Sequence, residues 1–490
     1  MARLFNRRRI HEAFLDPDLW SGQSRVSEVV QRVYQEELDR APTRAEFERA
    51  VWFGGGWKAV GLRVPPEGAI GTEEELRLRI NPTPPPVRPP QNQKPSRIWL
   101  SHRCWRTDAG YQAELGASLF WLPRAMKHNE TEVYDDLQFL SDHAFSSARI
   151  WHVKDYGKDF PGLRTHPDDP GHWDHIRKSY EALERYGLRA FSTLFAGGSQ
   201  SMAKGYRERY VDEAVAVAEE YRDTVMMIEI ANEYYTKGMG VSEVGALGKR
   251  AADQTDIPVA LSAPDVPDDD ESEASAIQEL YRDSAASIAT NHWDRDTDTE
   301  DGVWRPVRQP WHYRDTKGCP AARINSEPIG PRSSGTSETD PIVLGAAYAN
   351  TFFCGSSAYV LHTRAGIIGD RRISDEDNMA STVQVLDRVR EVLPGDIANR
   401  RASSHSKHFT DHPLKNIRDQ RAHFVRAFAR LSKDEDWVCL IGVSGRVSLE
   451  PRTRGQMAVW RIGDPVDAWD HSRGRSSVDG GGAYLVRLWD

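Results

Sequence analysis

The sequence is short of several things. It holds four cysteines in 490 residues (Cys104, Cys319, Cys354 and Cys439), and their scattered positions match neither metal-ligand nor redox spacing. They are expected to be free thiols, with a single disulfide open until the fold decides which of them meet. No stretch approaches the roughly 18 uninterrupted apolar residues of a membrane helix, so no membrane span is expected. Positive charge is not in excess: 64 Lys and Arg face 73 Asp and Glu, for a formal charge of −9. That balance argues against a general nucleic-acid binder, whose affinity comes from cations neutralising phosphates. "MARLFNRRRIHEAF" carries basic residues without an apolar core of ~7–15 residues behind them, so it does not read as a secretory signal. No G-x-G-x-x-G or P-loop follows an early strand, and no G-x-S-x-G is present, which removes the usual marks of dinucleotide, nucleotide and serine-hydrolase chemistry.

What is present fits a globular protein with a well-solvated surface: 39% hydrophobic and 28% charged residues, over a length that predicts two or three domains. Three parts are visible. Residues 1–80 are polar with helical periodicity; "VSEVVQRVYQEELDRAPTRAEFERAVWF" puts Val26, Val29, Val30, Val33 and Tyr34 on one face and Phe47, Val51 and Trp52 on another. A Pro-rich spacer over 81–97, "NPTPPPVRPPQNQKP" and its flank, favours extended geometry and marks a boundary. Residues 98–395 then alternate short apolar runs with amphipathic helical stretches.

Eight such runs are expected to be strands: 115–122, 146–153, 187–195, 225–231, 257–263, 286–292, 322–327 and 357–363. The last helical pattern, "DEDNMASTVQVLDRVREVL", stops at Pro394-Gly395. Eight strands alternating with helices over about 300 residues predict an α/β fold, a (β/α)8 TIM barrel. Residues 400–490 read as short alternating runs between Gly and Asp turns, a C-terminal β-rich, sandwich-like accessory domain.

In such a barrel the chemistry sits at the C-terminal strand ends. The fourth strand, "VMMIEIA", delivers Asn232-Glu233 at its tip, and the seventh, "ARINSEPIG", delivers Glu327. A buried carboxylate is costly unless something pairs with it or uses it. Two carboxyls facing each other are what glycosidic cleavage requires, one protonated to donate to the leaving oxygen and one ionised to attack the anomeric carbon. The second strand ends in Arg149-Ile150-Trp151-His152, the sixth in Asn291-His292-Trp293-Asp294, and the eighth in His362. An Arg beside one carboxylate would hold it ionised, and a drier setting would raise the pKa of Glu233.

"EIANE" on the fourth strand, "INSEP" on the seventh, "ARIWH" on the second and "GASLFWLPRAMK" at the first together resemble the clan A glycoside hydrolases, especially the cellulase-like family five group. The resemblance spans residues 98 to about 395. It implies that Glu233 is acid/base and Glu327 nucleophile, that Asn232 bonds the sugar 2-hydroxyl and that Arg149 supports the nucleophile. His152, His292, Trp293, His362 and Trp121 are further candidates for contacts with an oligo- or polysaccharide. The sequence departs from the clan where a Tyr near the sixth strand is usual (His292, Trp293 and Asp294 stand there) and where a Trp usually ends the eighth (here His362).

No cofactor is expected. "DRDTDTEDG" (294–302) lacks the Gly and Glu of a calcium loop, since Thr299 and Arg305 occupy those positions, and it reads as a solvated loop. The expected function is a retaining glycosidase acting on a β-linked glycan, with a host surface polysaccharide as one substrate. The alternative is a glycan-binding phage-tail or virion protein that keeps the barrel without turnover. On either reading residues 1–80 are an attachment module for virion or tail proteins. Lacking a secretory signal, the protein would be virion-associated or extracellular after lysis, or otherwise cytoplasmic.

Overall fold

The structure, a computed structural model, describes residues 95–489 except for internal stretches. The helical module expected over 1–80 and the spacer as far as residue 94 lie outside the described residues.

The described chain opens with an antiparallel meander, β1 (Trp99–Ser101), β2 (Cys104–Thr107) and β3 (Gly110–Gln112). The first half of the barrel follows: β4 (Glu114–Ser118), α1 (Leu122–His128), α2 (Thr131–Asp142), β5 (Ser147–Asp155), the short β6 (Arg164–Thr165), α3 (His172–Arg185), β7 (Arg189–Phe195), α4 (Lys204–Glu220) and β8 (Val225–Ala231). The second half comprises α5 (Val241–Ala252), β9 (Val259–Ala260), α6 (Asp270–Tyr281), β10 (Ile288–Asn291), α7 (Trp304–Arg308), β11 (Ala322–Asn325), α8 (Pro341–Phe353) and β12 (Ala358–Leu361). Two helices close this part, α9 (Arg364–Ile368) and α10 (Met379–Val392).

Eight parallel strands run in the order β10-β11-β12-β4-β5-β7-β8-β9. The Ser287 N–H donates to the Val259 carbonyl at 3.0 Å, bringing β10 up to β9. The result is a nearly closed (β/α)8 barrel, as the alternation of runs predicts. Every residue of β7 and β8 is buried, because the inner face fills the barrel and the outer face meets the helices.

Two boundaries differ from expectation. The first strand ends at Ser118 rather than 122, because Pro123 near the start of α1 favours helix there. The fifth pairs only over Val259–Ala260 rather than 257–263.

The lower end of the barrel is dry. Phe191, Met227, Ile288, Ile324 and Val360 fill it, and Ile98 and Trp105 of the N-terminal segment close it from below. With the bottom plugged by carbon, a site inside the barrel is left only at the other end.

The β-rich C-terminal part comprises β13 (Arg401–Ser403), β14 (Leu414–Lys415), β15 (Arg426–Arg430), β16 (Glu435–Val443), β17 (Val447–Pro451), β18 (Gln456–Arg461), β19 (Asp470–Arg473), β20 (Ser476–Val478) and β21 (Gly482–Trp489). They form a six-stranded sheet, β13-β15-β16-β21-β18-β19, and a three-stranded sheet, β14-β17-β20. Alternation along β16 divides two cores. Val438 and Leu440 face the space between the sheets with Leu449, Met457 and Val486. Trp437, Cys439 and Ile441 face the main core with the barrel's helices.

α8 lies at that junction and is buried almost all round, which is why "PIVLGAAYANTFF" has no polar face. Gly345 is required there, since a Cβ would lie 2.4 Å from Val385 Cγ1 and 3.0 Å from Ile462 Cγ2. Asp340 caps the helix through the Ile342 N–H (2.8 Å), with Pro341 at its first position. No disulfide joins the four cysteines, and among the described residues no helix is long and apolar enough to cross a membrane.

Candidate active site at the barrel mouth

The site is built on one inward-pointing cation. Arg149, the only charged residue in "SSARIWHV", is fully buried on β5. Its Nη2 donates to Glu229 Oε2 and to Asn232 Oδ1, both at 2.7 Å. Its Nη1 donates to Glu327 Oε1 at 2.8 Å. Thr193 Oγ1 adds a bond to Glu229 Oε2 at 2.6 Å. One guanidinium thus ties the tips of the fourth and seventh strands together through charge-assisted bonds in a fork that only Arg offers. With Oδ1 of Asn232 engaged by Arg149, the amide's Nδ2 is its remaining donor.

Glu327 is almost fully buried. Burial alone would raise its pKa. His292, His362, Arg149 and Arg295 outweigh that and hold the carboxyl well below the usual carboxylate range. His362, pushed down to about 3 by burial, is neutral at ordinary pH, so Arg149 and Arg295 are the permanent part of this field. Arg295 Nη1 and His362 Nε2 each stand 3.7 Å from Glu327 Oε2. Ser118 Oγ lies 2.8 Å from His362 Nδ1 and fixes the ring from the tip of β4. The loop after β11 passes so close to β12 that a Cβ on Gly330 would lie 2.0 Å from the His362 carbonyl oxygen. Only glycine lets the chain carrying Glu327 sit against the strand carrying His362.

Glu233 follows Asn232, whose N–H still donates to the Phe195 carbonyl at 2.9 Å. Glu233 itself adopts the left-handed conformation (φ 52°), uncommon for a residue with a side chain. Its carboxylate meets His292, with Nδ1 2.9 Å from Oε1. Here the expectation of a raised pKa fails. Burial pushes Glu233 upward, but the hydrogen bond and charge of His292 outweigh it, and the net direction is down. His292 reaches the other carboxylate too, with Nε2 3.4 Å from Glu327 Oε1. One oxygen of each glutamate and a ring nitrogen of His292 lie within 4.8 Å of one another.

That trio has donors suited to a metal ion. A cation bound there would face Arg149 and Arg295 across Glu327, an unfavourable like-charge contact.

Other residues expected at the site go elsewhere. His152 points the opposite way from Arg149, into the layer between barrel and helices, where Nε2 lies 2.9 Å from Tyr180 Oη of α3. Three positions along a strand reverse the face. Trp121 is core: its Nε1 donates to the Ala365 carbonyl at 2.8 Å, and its ring covers Gly369. Trp293 is buried in the main core. The aromatic wall of the mouth is instead Phe120 stacked on Trp151, with centroids 3.6 Å apart.

Glu229, Thr193, Ser118, Arg295 and Lys237 also stand at the site and are not among the residues the sequence pattern points to. Glu229 had a signal, as the one charge within "VMMIEIA". Arg295 and Lys237 lie in loop and turn, where no periodicity aims a side chain.

No family model matches the chain, and no curated protein matches it in sequence. Solved structures do match in fold. One named "Glycoside hydrolase" aligns over 81% of this chain and 97% of its own, with a TM-score of 0.56 at 11% identity. A glycoside hydrolase family 5 protein from Bacteroides vulgatus ATCC 8482 aligns over 81% of this chain and 93% of its own, with a TM-score of 0.52 at 13% identity. At such identities the likeness is one of fold.

Proposed function

We propose that this chain is a retaining glycoside hydrolase acting on a β-linked glycan, with Glu327 as nucleophile and Glu233 as acid/base. The observation that carries the reading is the pair itself. One carboxylate oxygen of each of two glutamates at the barrel mouth lies within 4.8 Å of the other, and His292, His362, Arg149 and Arg295 together hold Glu327 toward its ionised form. Retaining enzymes place the two carboxyls ~5–5.5 Å apart, whereas inverting ones need ~6.5–9.5 Å to admit a water.

The roles follow from the surroundings. Glu327 Oε1 is occupied by Arg149, so Oε2 is the oxygen that attacks the anomeric carbon. Glu233, in its protonated form, gives its proton to the glycosidic oxygen as the carbon–oxygen bond breaks. The sugar is then esterified to Glu327 and the aglycone leaves as an alcohol. Glu233, now a carboxylate, takes a proton from water. That water attacks the anomeric carbon, the ester breaks, and Glu327 is restored along with a sugar of unchanged anomeric configuration. Asn232 donates through Nδ2 to the 2-hydroxyl in this reading, which the bond from Arg149 to its Oδ1 supports.

Hydrolysis of a panel of β-linked oligosaccharides, with the product anomer read by NMR, tests this. Glu327→Gln should lower kcat by about 10³-fold or more, and Glu233→Gln by about 10²–10⁴-fold on substrates with poor leaving groups. An inverted product would overturn the retaining assignment. Glycan binding by the wild type without turnover would favour a binding protein instead.

A further inference from the structure

We propose that the sugar held at this mouth is anionic, a uronate or a sulfated unit, with Lys237 and Arg295 receiving its charged group; this rests on the hydrolase reading above. Charge at the mouth is the first ground. Arg149 is spent on Glu229 and Glu327. Arg295 touches Glu327 only at 3.7 Å, and its Nη1 is buried without a hydrogen-bond partner among the described residues. Lys237 ends the turn Tyr234–Lys237 that follows Glu233. It is half-buried, it senses both Glu233 and Glu327, and its Nζ donates to Thr236 Oγ1. Among the described residues no carboxylate comes within 4.0 Å of it.

Among the described residues three permanent cations, Arg149, Arg295 and Lys237, thus face three carboxylates, Glu229, Glu233 and Glu327, before any charge on His292 is added. Once Glu233 carries the proton of a general acid, at least one positive charge is in excess among them. A neutral sugar would cover that charge and strip its water without replacing it, which is unfavourable. An acidic group supplies the missing partner, and Arg295 is the side chain whose fork suits a planar carboxylate or a sulfate.

The platform is the second ground. The eighth strand ends in His362, fully buried on Ser118 and Glu327, so among the described residues that strand end adds no aromatic face of its own to the Phe120–Trp151 wall for a neutral ring to stack on. Holding Glu327 ionised does not account for Lys237, since Arg149 already does that and Lys237 contacts neither catalytic carboxylate.

The experiment compares three ligands of one backbone: uronate oligosaccharides, the same oligosaccharides after carboxyl reduction, and a sulfated series. Binding is measured by calorimetry at low and high salt, and turnover alongside it, for the wild type, Lys237→Met, Arg295→Met and Glu327→Gln, with thermal melts confirming folding. Expected is binding about tenfold tighter for the acidic than for the reduced series. That ratio should weaken with salt and fall toward one in Lys237→Met. A preference for the sulfated series supports the proposal and assigns the acid as sulfate.

A ratio near one in the wild type, or a ratio unchanged in both Lys237→Met and Arg295→Met, overturns it. Hydrolysis of neutral glycans without acidic preference sinks this inference and leaves the hydrolase reading standing. Acid-selective binding by wild type and Glu327→Gln without any turnover does the reverse.

Discussion

His292 is the residue on which the acid/base assignment turns. It sits between the two glutamates, 2.9 Å from one and 3.4 Å from the other, and it pulls Glu233 downward against the effect of burial. A general acid works best with a pKa near the operating pH, so on the proposed mechanism a lowered Glu233 pKa favours turnover at acid pH. Replacing the ring by His292→Phe removes the donor to the ionised form. The sign follows: the carboxylate is disfavoured, the Glu233 pKa rises, and the alkaline limb of kcat/KM moves to higher pH. A pH–rate profile of the variant measures this, and a limb that stays in place or moves toward acid would count against Glu233 as the acid. The residue-level signal in the sequence was uneven. Glu233 and Glu327 stood at the ends of apolar runs, while the pairing of Arg149 with Glu229 joins strands 80 residues apart.

Among the elements, α2 carries a conflict that can be measured. Asp136 is buried and accepts the Ile373 N–H at 2.7 Å, tying α2 to the segment after α9. Burial pushes its carboxyl up to about 7, with the Ile373 bond and Arg372 opposing. A carboxylate whose folded pKa exceeds its unfolded one binds protons better when folded. Its contribution is therefore greatest below about pH 4 and declines until about pH 7. Asp136→Asn keeps an acceptor oxygen and cannot ionise. It should stabilise the protein at pH 8 by on the order of 1–3 kcal/mol, and by progressively less toward pH 5. Thermal melts at the two pH values decide; equal effects at both would show that ionisation is not the cause.

For the molecule as a whole, acid should be the weak side. His152 and His172 are buried between the barrel and its helices, on Tyr180 and Tyr210. Burial pushes them down to about 3 and about 4. A depressed histidine pKa means that the unfolded chain takes the proton first. The stability they contribute is complete above about pH 6.5 and is lost progressively toward pH 3–4. Between pH 7 and 5 the pair should cost on the order of 4 kcal/mol. The measurement belongs in the Asp136→Asn background, because Asp136 titrates in the opposing direction over the same range. Denaturant midpoints that do not move between pH 7 and 5 would contradict it.

The strand and helix alternation is legible in the chain alone, because the period of apolar residues decides what a segment can bury on. So are the carboxylates that end the fourth and seventh strands, since strand direction alone puts a residue after the last apolar one at the mouth. Folding settles which face His152 takes, that His292 pulls Glu233 down, that Glu229 joins Glu327 in balancing Arg149, and that Trp121 and Trp293 belong to the core. Those outcomes depend on the stagger and twist of strands distant in the chain, and an apolar pattern carries no record of either.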